Sequence, residues 1–82
     1  MNLNVDIVSP EKVLYSEEVE SVQVPGTKGR FEILVNHAPI ISSLTEGIII
    51  CRGKKDFSLE IKGGFLEMSA NRVTICVETE GK

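Results

Sequence analysis

Apolar and polar positions alternate with a period of two along much of the chain. Leu3, Val5 and Ile7 alternate with Asn4 and Asp6, and Phe31, Ile33 and Val35 keep the same spacing. Phe57, Leu59 and Ile61 alternate with Asp56, Ser58, Glu60 and Lys62, while Val73, Ile75 and Val77 alternate with Arg72, Thr74, Cys76 and Glu78. Successive side chains of a strand point to opposite faces, so each segment predicts a strand with one buried face. Turn signals separate the segments at Ser9-Pro10, Ser16-Glu17, Pro25-Gly26 through Gly29, Asn36 to Pro39, Glu46-Gly47, Gly53 to Asp56, Gly63-Gly64 and Ala70-Asn71. That rhythm predicts a sandwich or barrel of short antiparallel strands. Between Val19 and Val22 the alternation slips by one residue, which predicts a β-bulge or a bend between sheets. Ile40-Ile41 and Ile48-Ile49-Ile50 are apolar on both faces, which predicts a strand buried on both sides or an apolar patch left outside. No segment carries apolar residues at helical spacing for ten residues or more, and Ser42 to Glu46 is long enough for one turn at most.

Composition supports the all-β reading. Val and Ile occur nine times each, Leu six times and Ala twice in 82 residues. β-branched side chains lose rotamer freedom in helices and fit pleated surfaces, so this palette favours strands. The length allows one domain, spanning residues 1–82. Nine basic against twelve acidic residues give a net charge of -3, and Trp is absent. A mildly acidic, aromatic-poor chain lacks both the electrostatic footprint and the stacking platform of a nucleic-acid binder. The longest apolar run, Ile48 to Cys51, is far short of the roughly 18 residues of a membrane span. The first residues show neither the basic start nor the apolar block of a signal peptide, so the chain is expected to be cytosolic. Cys51 and Cys76, with one His in the chain, have no zinc spacing, and both are expected reduced, as small core hydrophobes.

Catalytic chemistry finds no support in these residues. No serine has a GxSxG context, and Cys51 lies in an apolar run that suits a core strand. Asp6, Glu18, Glu20, Glu60, Glu67 and Glu78 alternate with apolar residues as solvated strand faces do. The glycines of Pro25-Gly26-Thr27-Lys28-Gly29 are not followed by the Gly-Lys-Ser/Thr of a phosphate loop. His37, before Ala38-Pro39, reads as a histidine whose ring bonds loop backbone and fixes a turn. Metal and cofactor are both expected to be absent. A small enzyme using His37 and a free-standing β-sandwich interaction module remain the competing readings.

From Val22 onward the run VQVPGTKGRFEILVNHAPIISSL, a strand entering a glycine loop and then an apolar strand ending in His-Ala-Pro, resembles the epsilon subunit of F-type ATP synthase. The opening LNVDIVSPEKVLYSEEVESV, Gly47 with Ile48-Ile49-Ile50, and Gly63-Gly64-Phe65-Leu66-Glu67-Met68 followed by Asn71-Arg72-Val73-Thr74-Ile75 agree in order. The resemblance therefore runs over essentially the whole chain. It implies a flattened antiparallel β-sandwich of about ten short strands, and a non-catalytic central-stalk subunit that binds the gamma subunit and the ring of c subunits. Such a subunit rotates with them and helps couple proton or sodium flow to ATP synthesis. It would lie on the cytoplasmic side of the bacterial plasma membrane, touching the membrane through the complex and forming no obligate homo-oligomer.

Residue by residue, the resemblance places the loop Thr27, Lys28, Gly29 and Arg30 toward the c-ring. It places Ser9 and Pro10, with His37, Ala38, Pro39, Ile40, Ile41 and Ser42, toward gamma. Two departures stand out: the family usually has an acid where Arg30 stands and a glycine where Glu32 stands, so the charge facing the ring is rearranged. Bacterial members usually continue into a two-helix domain that can inhibit ATP hydrolysis. This sequence stops after its last expected strand, as a naturally short chain or a piece of a longer one would, and the expectation is a form without that brake.

Overall fold

The alternating segments fold as strands in the computed structural model, which describes residues 2–80. Nine strands lie among those residues, one fewer than the resemblance implies: β1 (Leu3–Val8), β2 (Val13–Val19), β3 (Ser21–Gly26), β4 (Gly29–Leu34), β5 (Ile40–Leu44), β6 (Gly47–Arg52), β7 (Phe57–Ile61), β8 (Gly63–Ser69) and β9 (Arg72–Glu78). They pair in the order β2-β1-β9-β8-β5-β3-β6-β7, with β4 added to β3. Every pairing is antiparallel except β1 with β9, which is parallel.

The path has a weak point that makes the sheet curl. β5 and β3 share the single register pair Gly26↔Leu44, whereas β5 and β8 pair over five positions and β8 and β9 over seven. Two arms therefore meet at a corner, β2-β1-β9-β8-β5 on one side and β3-β6-β7 with β4 on the other. Their inward side chains close into one core. Leu3, Val5, Ile7, Leu66, Met68, Val73, Ile75 and Val77 come from the first arm, and Val22, Val24, Ile33, Ile49, Cys51 and Ile61 from the second. Cα extents of 35 × 26 × 18 Å fit two layers and no more. This is the flattened β-sandwich expected from the sequence.

The slip at Val19 to Val22 resolves as a bend. β2 ends at Val19, Glu20 turns and donates its N–H to the Arg52 carbonyl (2.7 Å), and β3 begins in the other arm at Ser21. The bulge lies elsewhere, where the β1–β2 register jumps between Ile7↔Tyr15 and Val8↔Val13. Two expected turns are strand interior. Ser16 and Glu17 lie inside β2, where the Ser16 hydroxyl donates to Asp6 Oδ1 across the ladder at 2.6 Å. Gly63 and Gly64 open β8, the chain having turned at Lys62. A Cβ on Gly64 would collide with the Cys76 carbonyl oxygen and lie 3.2 Å from Val77 Cα, so the residue answers to close packing. Ile48 to Ile50 are not buried on both sides: Ile49 is fully buried and Ile48 exposed. Cys76 is not a core residue either, because it shares the outward face of β9 with Arg72 and Glu78.

Gly64→Ala tests the packing at β8–β9. The new methyl meets main chain, which cannot rotate away, so the variant is expected to lose about 2–3 kcal/mol of unfolding free energy in urea titration. Gly29→Ala, whose added Cβ would meet nothing within 4 Å, is expected to lose only the smaller cost of its backbone angle.

Candidate interaction surface

The hairpin of Thr27 and Lys28 joins β3 to β4 across the pair Gly26↔Gly29. Gly29 closes it at φ +129°, a conformation L side chains avoid. The hairpin stands at the corner of the two arms and is fastened to β5. The Thr27 N–H donates to the Ser43 carbonyl (3.1 Å), the two hydroxyls lie 3.3 Å apart, and the Thr45 N–H donates to the Pro25 carbonyl at 2.8 Å. A groove of about 390 Å³ opens between hairpin and strand, bordered by Lys28, Arg30 and Phe31 on one side and by Ile41, Ser42 and Ser43 on the other. Lys28 and Arg30 are exposed. The structure thus sets Thr27 to Arg30 directly beside Ile41 and Ser42.

His37, Ala38 and Pro39 lie at the other end of β5. The His37 N–H donates to the Leu34 carbonyl (3.1 Å), and its Nδ1 sits 2.7 Å from the Ala38 carbonyl, so the ring bonds loop backbone as expected. The preceding residue, Asn36, has φ 69° and is bound to Asn71 in the β8–β9 turn. β5 then presents its residues alternately: Leu44 points into the core, while Ile41 is 68% exposed on the outer face.

Ser9 and Pro10 form the β1–β2 connection. The Ser9 N–H donates to the Lys12 carbonyl (2.9 Å), and the Ser9 hydroxyl accepts from the Glu11 and Lys12 N–H groups at 3.3 Å each. The register places Val8 opposite Cys76, Cys76 opposite Phe65, and Phe65 opposite Ser43. Ser9-Pro10 therefore shares an end of the first arm with Thr27, and His37 to Pro39 lie at the opposite end. The eight positions assigned together toward gamma do not form one cluster. They flank the outer face of β5-β8-β9-β1.

That face holds a residue the sequence reading passed over. Phe65 is 47% exposed, between Cys76 and Ser43, and Val13 is 63% exposed beyond Val8. The available signal was Phe65-Leu66, two apolar residues in succession within an alternating strand. Leu66 is fully buried, so its neighbour must face out.

Inside, Tyr15 and Phe57 stack with ring centroids 4.1 Å apart. Burial raises the Cys51 pKa to about 11 and a hydrogen bond with Tyr15 only partly offsets it, so the thiol is protonated and inert at neutral pH. Among the described residues, no three His, Cys, Asp or Glu gather as a metal site, and no buried side-chain nitrogen or oxygen lacks a hydrogen-bond partner. The arrangement offers flat and grooved surfaces.

Comparison with known proteins agrees over the whole fold. A family described as ATP synthase, Delta/Epsilon chain, beta-sandwich domain matches residues 2–80. An ATP synthase epsilon chain of Leptospira borgpetersenii is 46% identical over 77 residues, covering 93% of this chain and 61% of that protein. One of Desulforamulus reducens is 40% identical over 75 residues, covering 90% and 57%. The chain thus spans about three fifths of the length of these relatives. Among solved structures, one chain of the Euglena gracilis mitochondrial ATP synthase OSCP/F1/c-ring assembly shares the fold with a TM-score of 0.86 at 19% identity, covering 93% of this chain and 50% of that one. A chain of the Tetrahymena thermophila mitochondrial ATP synthase central stalk/c-ring gives 0.79 at 16%, covering 95% and 64%.

The two thiols provide a check on this geometry. At pH 8 a thiol reagent is expected to label Cys76 alone, with Cys51 reacting only after unfolding. The folded-state pKa of Cys51 is raised from 9.0 to about 11, so stability tied to its neutral form is full below pH 9 and lost as pH climbs through 11. Melting temperature against pH should fall in that window, and Cys51→Val should flatten the fall.

Proposed function

The chain belongs to the family of ATP synthase delta/epsilon β-sandwich domains, and from that premise we propose that it is a non-catalytic element of the enzyme's central stalk. In this role it binds the gamma subunit and the c-ring, turns with them, and helps couple proton or sodium flow to ATP synthesis. Its site would be the cytoplasmic face of the bacterial plasma membrane, reached through the complex. The observation that carries the reading is the ordered match over residues 2–80 to a stalk-subunit family. The inert Cys51 thiol and the backbone-bound His37 ring fit a part that does no chemistry.

Two surfaces suit two partners. Toward gamma we assign the outer face flanked by Ser9-Pro10 and His37 to Ser42, with Ile41 as a dry contact at its edge. Toward the c-ring we assign the hairpin Thr27, Lys28, Gly29 and Arg30, whose glycine allows close approach of another backbone. Lys28 and Arg30 give it a positive charge, which calls for an acidic c-subunit loop in place of the charge arrangement usual in the family. The fastening of Thr27 to Ser43 ties the ring-facing hairpin to the gamma-facing strand, so the two assigned surfaces adjoin.

Substitution of each surface separates them. Ile41→Asp is expected to weaken binding to purified gamma by at least about tenfold, the cost of placing a charge in a dry contact. Arg30→Glu should leave gamma binding unchanged and lower proton-driven ATP synthesis in membrane vesicles. Full coupling with Glu at position 30 contradicts the c-ring assignment, and unchanged gamma affinity with Asp at 41 contradicts the other.

A further inference from the structure

We infer that Asn71 is a positioning residue that holds the His37–Ile41 segment in its partner-binding posture through a side-chain clasp with Asn36, an inference resting on the gamma-facing reading above. Val35 to Pro39 belong to no strand, and Pro39 has no N–H to offer a neighbour. Local support for the segment is therefore thin. The clasp adds to it from 35 residues away in sequence. The Asn36 N–H donates to Asn71 Oδ1 at 2.6 Å, and Asn71 Nδ2 donates back to Asn36 Oδ1 at 3.0 Å.

Both partners are in the left-handed region, Asn36 at φ 69° and Asn71 at φ 63°. Asn tolerates that region better than most side chains, and there each short amide reaches the other. Ala70, at φ 52°, completes the two-residue β8–β9 turn at some steric cost. The turn is itself anchored, because the Asn71 carbonyl accepts the Asn4 N–H of β1 at 2.8 Å. Asn71 thus joins three elements: β1, the β8–β9 turn and the β4–β5 loop. Downstream of the clasp come the His37 ring on the Ala38 carbonyl, the start of β5 at Ile40↔Met68, and exposed Ile41. The direction in which the loop leaves β4 determines where these residues stand.

Glycine variants isolate the clasp from the backbone. Asn71→Gly keeps the left-handed angle without strain and removes only the amide. Asn36→Gly removes the bond from Asn71 Nδ2, keeps the main-chain N–H on Asn71 Oδ1, and leaves the β8–β9 turn untouched. Asn71→Asp restores the contact, since a flipped Asn36 amide can then donate one N–H to one carboxylate oxygen while the Asn36 main-chain N–H donates to the other. In the full chain, Asn71→Gly is expected to speed amide exchange at residue 36 by about 10- to 30-fold, the loss of two ordinary hydrogen bonds, with core amides of β1 and β9 unchanged. Affinity for purified gamma should fall about tenfold by the same two bonds, Asn36→Gly, which loses one of them, should show both effects at about 3- to 5-fold, and Asn71→Asp should return both toward the parent values.

Unchanged exchange in both glycine variants overturns the clasp. Faster exchange with unchanged gamma affinity, while Ile41→Asp abolishes binding, overturns the positioning role alone. If Ile41→Asp also binds gamma normally, the gamma-facing reading fails and the positioning role with it. Should Asn71→Gly not fold, Asn36→Gly carries the test at its smaller, one-bond effect.

Discussion

The parallel ladder between β1 and β9 is the constraint on which the rest of the molecule depends. It pairs Asn4 through Val8 with Arg72 through Cys76, joining the two ends of the described chain. Its inward faces are Leu3, Val5 and Ile7 beside Val73, Ile75 and Val77, all essentially fully buried. Each such side chain contributes about 1.5–3 kcal/mol by leaving water, which outweighs the Arg72–Asp6 ion pair at the rim (3.3 Å), exposed enough to be worth about 1 kcal/mol at most. The loop closed by this ladder costs only a slowly growing entropy, but its contacts are non-local and should make folding slow for so short a chain. Without it the β1–β2 hairpin has no attachment to β9, and the Ser9-Pro10 turn has no place beside Phe65.

The same ladder sets the geometry of the candidate surfaces. Fixing β1 against β9 aligns Val8, Cys76, Phe65 and Ser43 in one row that ends at the Thr27 hairpin. It also brings the Asn4 N–H to the Asn71 carbonyl at the opposite end. The two ends of the outer face are thus tied by continuous hydrogen-bonded strands. In the stalk role proposed above, strain at one loop would pass through ladders instead of flexible linkers.

Much of this was legible in the sequence. Alternation gave the inward faces of β1, β7 and β9 residue for residue, since period two leaves no freedom once one face is apolar. His37 before Ala38-Pro39 gave a backbone-bound ring. Other features depend on pairing, which periodicity does not contain. Ser16-Glu17 looked like a turn because its partner, Asp6, is ten residues away, and Gly63-Gly64 looked like a turn because the crowding comes from Cys76 and Val77. Nor does local pattern show that Ser9-Pro10 and His37-Pro39 lie at opposite ends of one face, or that Asn36 and Asn71 meet. Phe65 was half legible: its apolar neighbour Leu66 had first claim on the core, but what surrounds it outside follows from strand order.

The central claim, that one sandwich offers two adjoining surfaces to two partners of a rotary stalk, is most directly tested by site-specific photo-cross-linking in the assembled ATP synthase. A photoreactive amino acid would be placed at position 41 in one preparation and at position 28 in another, and the products identified by mass. The account predicts a gamma adduct from position 41 and a c-subunit adduct from position 28. Adducts from both positions to the same subunit, or adducts to neither partner from an enzyme that retains the chain, would contradict it.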